Sequence, residues 1–180
     1  MSAKTRSGEL YQVGIIAAFT ALAFVGTTLI RIPIPATGGY FNLGDTFVMA
    51  AALLYGPWVG ALVGLIGPAL SDAIGFPQFV LATAVVKFCE GGLVGLLSRQ
   101  GKRYTPLPAL VAGIVVLVLG YYLFEAFVYP WLAVSIPFFG VTDPKAALAE
   151  VPPNLLQGVL SAMIAYGIAR LLRGRAPQRK

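Results

Sequence analysis

The chain has 180 residues, 58% of them hydrophobic and 11% charged, with a net charge of +6 and a mean hydropathy of +0.82. Soluble domains are about half apolar and about a quarter charged, so a water-soluble globule, a disordered chain and a disulfide scaffold are all excluded. An integral membrane protein remains; at roughly 20 apolar residues per span the chain accommodates about six spans in one domain, with no separate catalytic domain.

The N-terminus, Met1 to Glu9, is short and polar, with Lys4 and Arg6. The apolar run Leu10 to Ile30 exceeds a typical signal-peptide core and has no clear cleavage site, so it reads as a retained first helix. Arg31 to Gly39 holds two prolines and two glycines and reads as a loop. A second run extends from Asp45 to Tyr55, is interrupted at Gly56-Pro57, and resumes from Trp58 to Ile74. One long kinked span and two spans joined by a tight turn both fit. Further runs cover Phe79 to Leu97, Leu107 to Tyr129 and Asn154 to Leu172. The stretch Pro130 to Pro144 starts apolar but is broken by prolines, and reads as an interfacial or re-entrant segment leading into an outer loop.

Charge chooses between the counts. Lys and Arg of short loops lie on the cytoplasmic side. Six spans put ten of the thirteen basic residues there: Lys4, Arg6, Arg99, Lys102, Arg103, Arg170, Arg173, Arg175, Arg179 and Lys180. Arg31 and Lys145 lie outside and Lys87 lies within a span. Five spans would force the basic C-terminal tail outward. The expected architecture is therefore an all-α bundle of six transmembrane helices, about 10–30, 45–55, 58–74, 79–97, 107–129 and 154–172, with both termini cytoplasmic. Topology accounts for the basic tail, so no nucleic-acid partner is expected. The second span is awkward: 11 residues make roughly 17 Å of helix against a hydrocarbon core of about 30 Å. It borrows residues at both ends or is shielded by its neighbours. The halves show no repeat, which counts against inverted-repeat transporters.

Ionisable residues at membrane depth are costly and usually face a cavity or a partner. Here they are Asp45, Asp72, Lys87, Glu90 and Glu125, joined by Asn154 and Gln157. On the six-span reading nearly all lie in the outer half, which describes a ligand pocket opening outward rather than a through-pore. Simpler roles compete. Lys87 and Glu90, three apart, share a helix face and can pair with each other. Asp45 stands where an N-cap would. Asn154 and Gln157 can be first-turn residues at the water interface. Gly56, Gly60 and Gly64, Gly91 and Gly95, and Ala17 and Ala21 recur every four residues, the pattern of close helix packing.

No catalytic constellation is present. The chain has no histidine and one cysteine, Cys89, so a metal site and a Ser-His-Asp triad are excluded; the phosphate-binding pattern GxxxxGK[ST] is absent. No enzyme activity and no cofactor are expected, and uphill transport would draw on a partner or an ion gradient.

The stretches Tyr40-Phe-Asn-Leu-Gly-Asp45, Ala51-Ala-Leu-Leu-Tyr-Gly-Pro57, Gly60-Ala-Leu-Val-Gly64, Gly67-Pro-Ala-Leu-Ser-Asp72 and Val86-Lys-Phe-Cys-Glu-Gly-Gly92 resemble the substrate-binding S-components of energy-coupling factor (ECF) vitamin transporters, in particular the riboflavin-type branch. The resemblance implies a multi-pass protein of a prokaryotic cell membrane. It implies a vitamin or precursor held in an outer-side pocket and covered by the loop between the first two spans. It also implies a coupling subunit, two cytoplasmic ATPases, and a subunit that topples in the bilayer. The lid would comprise Arg31, Pro33, Pro35, Gly38, Gly39, Tyr40 and Asn42, and the coupling-subunit contact Ala17 and Ala21. Candidate ligand contacts are Asp72, Lys87, Glu90, Glu125, Asn154 and Gln157, with Tyr121, Tyr122 and Trp131 for stacking. Riboflavin, a pyrimidine thiamine precursor and a pyridoxine-like compound are the candidate ligands. The rival reading is a solitary ion-coupled transporter in which Asp72 or Glu90 carries the proton.

Overall fold

The computed structural model describes residues 3–35, 38–100, 103–104, 106–133 and 144–173. Lys102, Arg175, Arg179, Lys180 and residues 134–143 of the expected re-entrant segment lie outside them. The described chain is almost wholly helical. Helix α1 (Ala3–Leu29) takes up most of the polar N-terminus as well as the first apolar run. It stops short of Ile32-Pro33, because a residue before proline is pushed out of the helical region. The stretch read as a loop is a small antiparallel hairpin instead: β1 (Ile32–Ile34) pairs with β2 (Gly39–Phe41), Ile32 opposite Phe41. Its turn ends at Gly38, at φ +72, a left-handed conformation that glycine adopts without steric cost.

Two helices, not one kinked helix, follow. Helix α2 (Asp45–Tyr55) ends at Gly56, whose φ of +99 and ψ of −174 break the helical path, and Pro57 opens α3 (Pro57–Gly75) at a position where its missing N–H costs nothing. A 3-10 turn (Pro77–Phe79) leads into α4 (Val80–Leu97). A short pair, β3 (Arg99–Gln100) with β4 (Arg103–Tyr104), connects to α5 (Pro106–Leu123). The fifth apolar run does not end at Tyr129. It passes through a π turn (Phe124–Val128) into α6 (Tyr129–Ala133), with the Tyr129 N–H donating to the Phe124 carbonyl five residues back. Widening before Pro130 accommodates a ring that would clash with the carbonyl four residues earlier in a regular helix. Helix α7 (Pro144–Ala149) precedes α8 (Val151–Arg173), which begins before Asn154 and carries Pro152 and Pro153 in its first turn.

Helices covering Gly8–Leu29, Pro57–Gly75, Pro77–Leu97, Pro106–Ala133 and Pro144–Arg173 are long and apolar enough to cross a membrane. Their outer faces carry bare apolar side chains, such as Leu65, Ile74, Val111, Leu119 and Met163, as lipid demands. Helix α2 is too short to do so alone. It packs against α1, α3, α4 and α8, and Val48 to Leu53 are wholly buried. Of the two accounts of its length, shielding by neighbours describes what is seen.

Helices α3 and α4 touch backbone to backbone. A Cβ on Gly60 would meet the Gly91 carbonyl oxygen at 2.6 Å, and one on Gly95 the Pro57 Cα at 2.5 Å. The four-residue glycine spacing therefore serves packing within the bundle. The Ala17 and Ala21 side chains of α1 are exposed.

Candidate functional site

Buried polar residues gather at one end of the bundle, where α1, α3 and α5 finish and α2, α4 and α8 begin. They line a narrow cavity that opens at that end of the bundle. Thr27 comes from α1; Gly39, Tyr40 and Asn42 from the hairpin and the residue after it. Pro68 and Asp72 come from α3, Phe79 from the 3-10 turn, Thr83 and Lys87 from the first half of α4, and Tyr121 and Glu125 from the end of α5 and the π turn. Glu150, just before α8, and Asn154 and Gln157 in its first two turns complete the lining. Arg99, Arg103, Arg170 and Arg173 belong to segments at the opposite end of these helices.

The floor is an ion-pair network. Lys87 Nζ lies 2.5 Å from Asp45 Oδ1 and 3.2 Å from Glu90 Oε2, all three side chains being buried. Asp45 thus neither caps α2, where no side-chain cap bond forms, nor lines the cavity. The Gln157 amide donates to Asp45 Oδ2 at 2.7 Å and accepts from the Asn42 N–H at 2.7 Å. The floor is in this way tied to the chain just beyond the hairpin. The Lys87 ammonium also stands 5.3 Å from the Tyr121 ring centroid, a favourable arrangement for a cation over a π face. Thr83 and Tyr121 share a hydroxyl hydrogen bond of 2.9 Å.

The hairpin forms the roof. The Tyr40 hydroxyl donates to Asp72, and its ring packs on Phe76 at 4.4 Å between centroids. Burial, reinforced by the Asp72 carboxylate, pushes the Tyr40 phenol above its usual pKa, so it keeps its proton and remains a donor. Arg31 latches the roof to α3. Its guanidinium donates to the Ser71 carbonyl at 2.8 Å and hydroxyl at 2.5 Å, and lies 5.2 Å and 5.1 Å from the Tyr40 and Phe76 ring centroids. Pro33, Pro35 and Gly38 are exposed on the hairpin.

Of the residues singled out from sequence, Asp72, Lys87, Tyr121, Glu125, Asn154 and Gln157 come together on the cavity wall. Glu90 is buried beside Lys87, outside the lining. Tyr122 is half-buried and packs against Phe127, ring centroids 6.3 Å apart. Trp131 is 74% exposed. Neither aromatic lines the cavity, for reasons of helical phase. Successive helix positions lie about 100° apart, so Tyr121 and Tyr122 cannot face the same way, and the π turn rotates everything beyond it, Trp131 included. Trp131→Ala is accordingly expected to leave ligand affinity within about twofold, as titration of the purified protein would show.

Sequence reasoning missed Thr27, Pro68, Phe79, Thr83 and Glu150. Glu150 fell in the stretch read as outer loop. Its signal was spacing: Glu150, Asn154 and Gln157 follow a helical i, i+4, i+7 face, and the Asn154 N–H donates to the Glu150 carbonyl at 2.9 Å.

Comparison with known proteins agrees with this architecture. Residues 8–173 match the family model described as the ECF-type riboflavin transporter, S component. An uncharacterized protein of Pyrococcus woesei is 39% identical over 152 residues, 84% of this chain and 94% of the relative. The thiamine precursor transporter HmpT of Lactococcus lactis subsp. cremoris is 30% identical over 166 residues, 91% of this chain and 89% of the relative. A solved structure described as the S component of a bacterial ECF transporter superposes with a TM-score of 0.69 at 19% identity, covering 94% of this chain and 99% of that one.

Proposed function

Because the chain belongs to the S-component family of ECF-type riboflavin transporters, we propose that it is the high-affinity substrate-binding membrane subunit of an importer for a water-soluble vitamin or vitamin precursor. The ligand is riboflavin-like, a pyrimidine thiamine precursor or a pyridoxine-like compound. A membrane coupling subunit and two cytoplasmic ATPases deliver it inward, and the exposed Ala17 and Ala21 face of α1 meets the coupling subunit. The protein resides in a prokaryotic cell membrane with six crossing segments and both termini inside.

The observation that carries this reading is a polar cavity, roofed by a latched hairpin, at one end of an otherwise apolar bundle. Arginines mark the other end, and basic loops belong on the cytoplasmic side, so the cavity opens outward. Aromatic and apolar walls with a few convergent polar groups are what a small planar ligand needs. Asp72, Lys87, Glu125, Asn154 and Gln157 supply the polar groups, Phe79 and Tyr121 the rings, and Glu90 acts through Lys87.

Mass spectrometry of small molecules released from the purified, detergent-solubilised protein tests the proposal. The expected result is a stoichiometric heteroaromatic vitamin or precursor. A preparation that retains no small molecule and binds none of the three candidate classes would overturn it.

A further inference from the structure

We propose that Glu125 and Glu150 form a carboxyl pair that reads the amino-substituted edge of a planar nitrogen heterocycle, making the ligand an aminopyrimidine-type compound rather than a flavin. The inference rests on the substrate-binding reading above and narrows it.

Glu125 is wholly buried and lines the cavity, and the one partner its carboxyl group has among the described residues is the Glu150 carboxyl. Two facing carboxyls share at most one proton, so the remaining buried Glu125 oxygen is costly to leave bare and calls for a donor. The residue stands in the π turn, a local widening of a kind frequent at functional sites. The Glu150 carboxyl lies against it and is itself held from two sides. Gly39 of the hairpin approaches so closely that any Cβ there would collide with it, and Asn154 Nδ2 is 3.5 Å from its Oε2. Lys87, the cation on the cavity wall, is engaged by Asp45 and Glu90. Arg31 is engaged by Ser71 and the Tyr40 and Phe76 rings.

Two carboxyl groups side by side on a buried wall, sharing at most one proton, offer more acceptors than donors and disfavour other acceptors. The N–C–NH2 edge of an aminopyrimidine answers both. Its ring nitrogen and one amine hydrogen make two parallel hydrogen bonds with one carboxyl group, and the second amine hydrogen goes to the other. The pairing is the same whether the shared proton begins on the acid or on the ring. Phe79 and Tyr121 lie within reach of the ring faces. A flavin's pyrimidinedione edge instead presents a single N–H flanked by two carbonyl oxygens, so it offers the pair one donor and sets two acceptors against it.

The test is titration calorimetry on the full-length protein in detergent. The probes are 4-amino-5-hydroxymethyl-2-methylpyrimidine, its 4-oxo counterpart and riboflavin. The unaltered protein is expected to prefer the amino compound over the oxo compound by at least about 100-fold, the discrimination expected of a site built around a hydrogen bond. Glu125→Gln and Glu150→Gln should each collapse that preference to within about tenfold. A ratio of two affinities does not depend on what fraction of the preparation is folded. An undiminished preference in both variants would overturn the proposal. Tight binding of riboflavin with weak binding of the amino compound would also overturn it, while leaving the S-component reading intact. Binding of none of the probes, with no retained molecule, would overturn both.

Discussion

Lys87→Ala is expected to destabilise the protein by about 3–5 kcal/mol, the range for removing one partner of a buried ion pair. The substitution leaves Asp45 and Glu90 buried together with no cation between them; Gln157 alone still bonds Asp45. The loss should appear as a large fall in the thermal unfolding midpoint in detergent and a lower yield of monodisperse protein. The charge balance, and not the shape of lysine, is responsible. The triple variant Lys87→Met, Asp45→Asn, Glu90→Gln should therefore recover most of the stability, since an uncharged set of similar volume is often neutral or better. If Lys87→Ala unfolds at the same temperature as the unaltered protein, the network is not holding α2 to α4. If the triple variant is no better than the single one, charge balance is the wrong explanation.

Gly91→Ala should be comparably damaging, at or above the ~3 kcal/mol upper end typical of overpacking. A methyl group there would run into the backbone carbonyl of Gly60 on α3, and neither backbone can yield without separating the two helices. Separation would also displace Thr83 and Lys87, which α4 carries into the cavity wall, so ligand affinity should fall with stability. The neighbouring Gly92→Ala is the control. Its methyl group would meet Ala61 Cβ at 3.6 Å, an ordinary contact, and should change stability by no more than about 0.5 kcal/mol. Thermal unfolding of the two variants side by side decides the matter; equal midpoints would contradict the backbone contact.

The helix order was legible because lipid-facing helices must be apolar along their length, so any break by Gly56-Pro57 or Pro33 stands out. The cavity was partly legible for the same reason. In a bundle with so few polar side chains, Asp72, Lys87, Glu125, Asn154 and Gln157 announce themselves. Three things were not. The hairpin depends on pairing between Ile32 and Phe41, which a run of prolines and glycines conceals. The outward turn of Trp131 depends on a π turn that hydropathy does not register. Glu150 looked like a loop residue until α8 was seen to begin just after it. Asp45 and Glu90 were visible as buried charges, but only their distances to Lys87 show that they brace the floor rather than face the cavity.

The enclosure of α2 has a consequence for biogenesis. This helix leaves the ribosome before α3, α4 and α8, three of the four helices it packs against most, and at 11 residues it is a poor candidate for independent partitioning into lipid. Its enclosure is complete only once α8 has docked. Helix α8 also carries Asn154 and Gln157 and follows directly on Glu150, so its docking completes the wall of the cavity and the enclosure of α2 together. A nascent chain arrested before α8 would therefore lack one flank of α2 and, with it, Asn154 and Gln157 of the cavity wall.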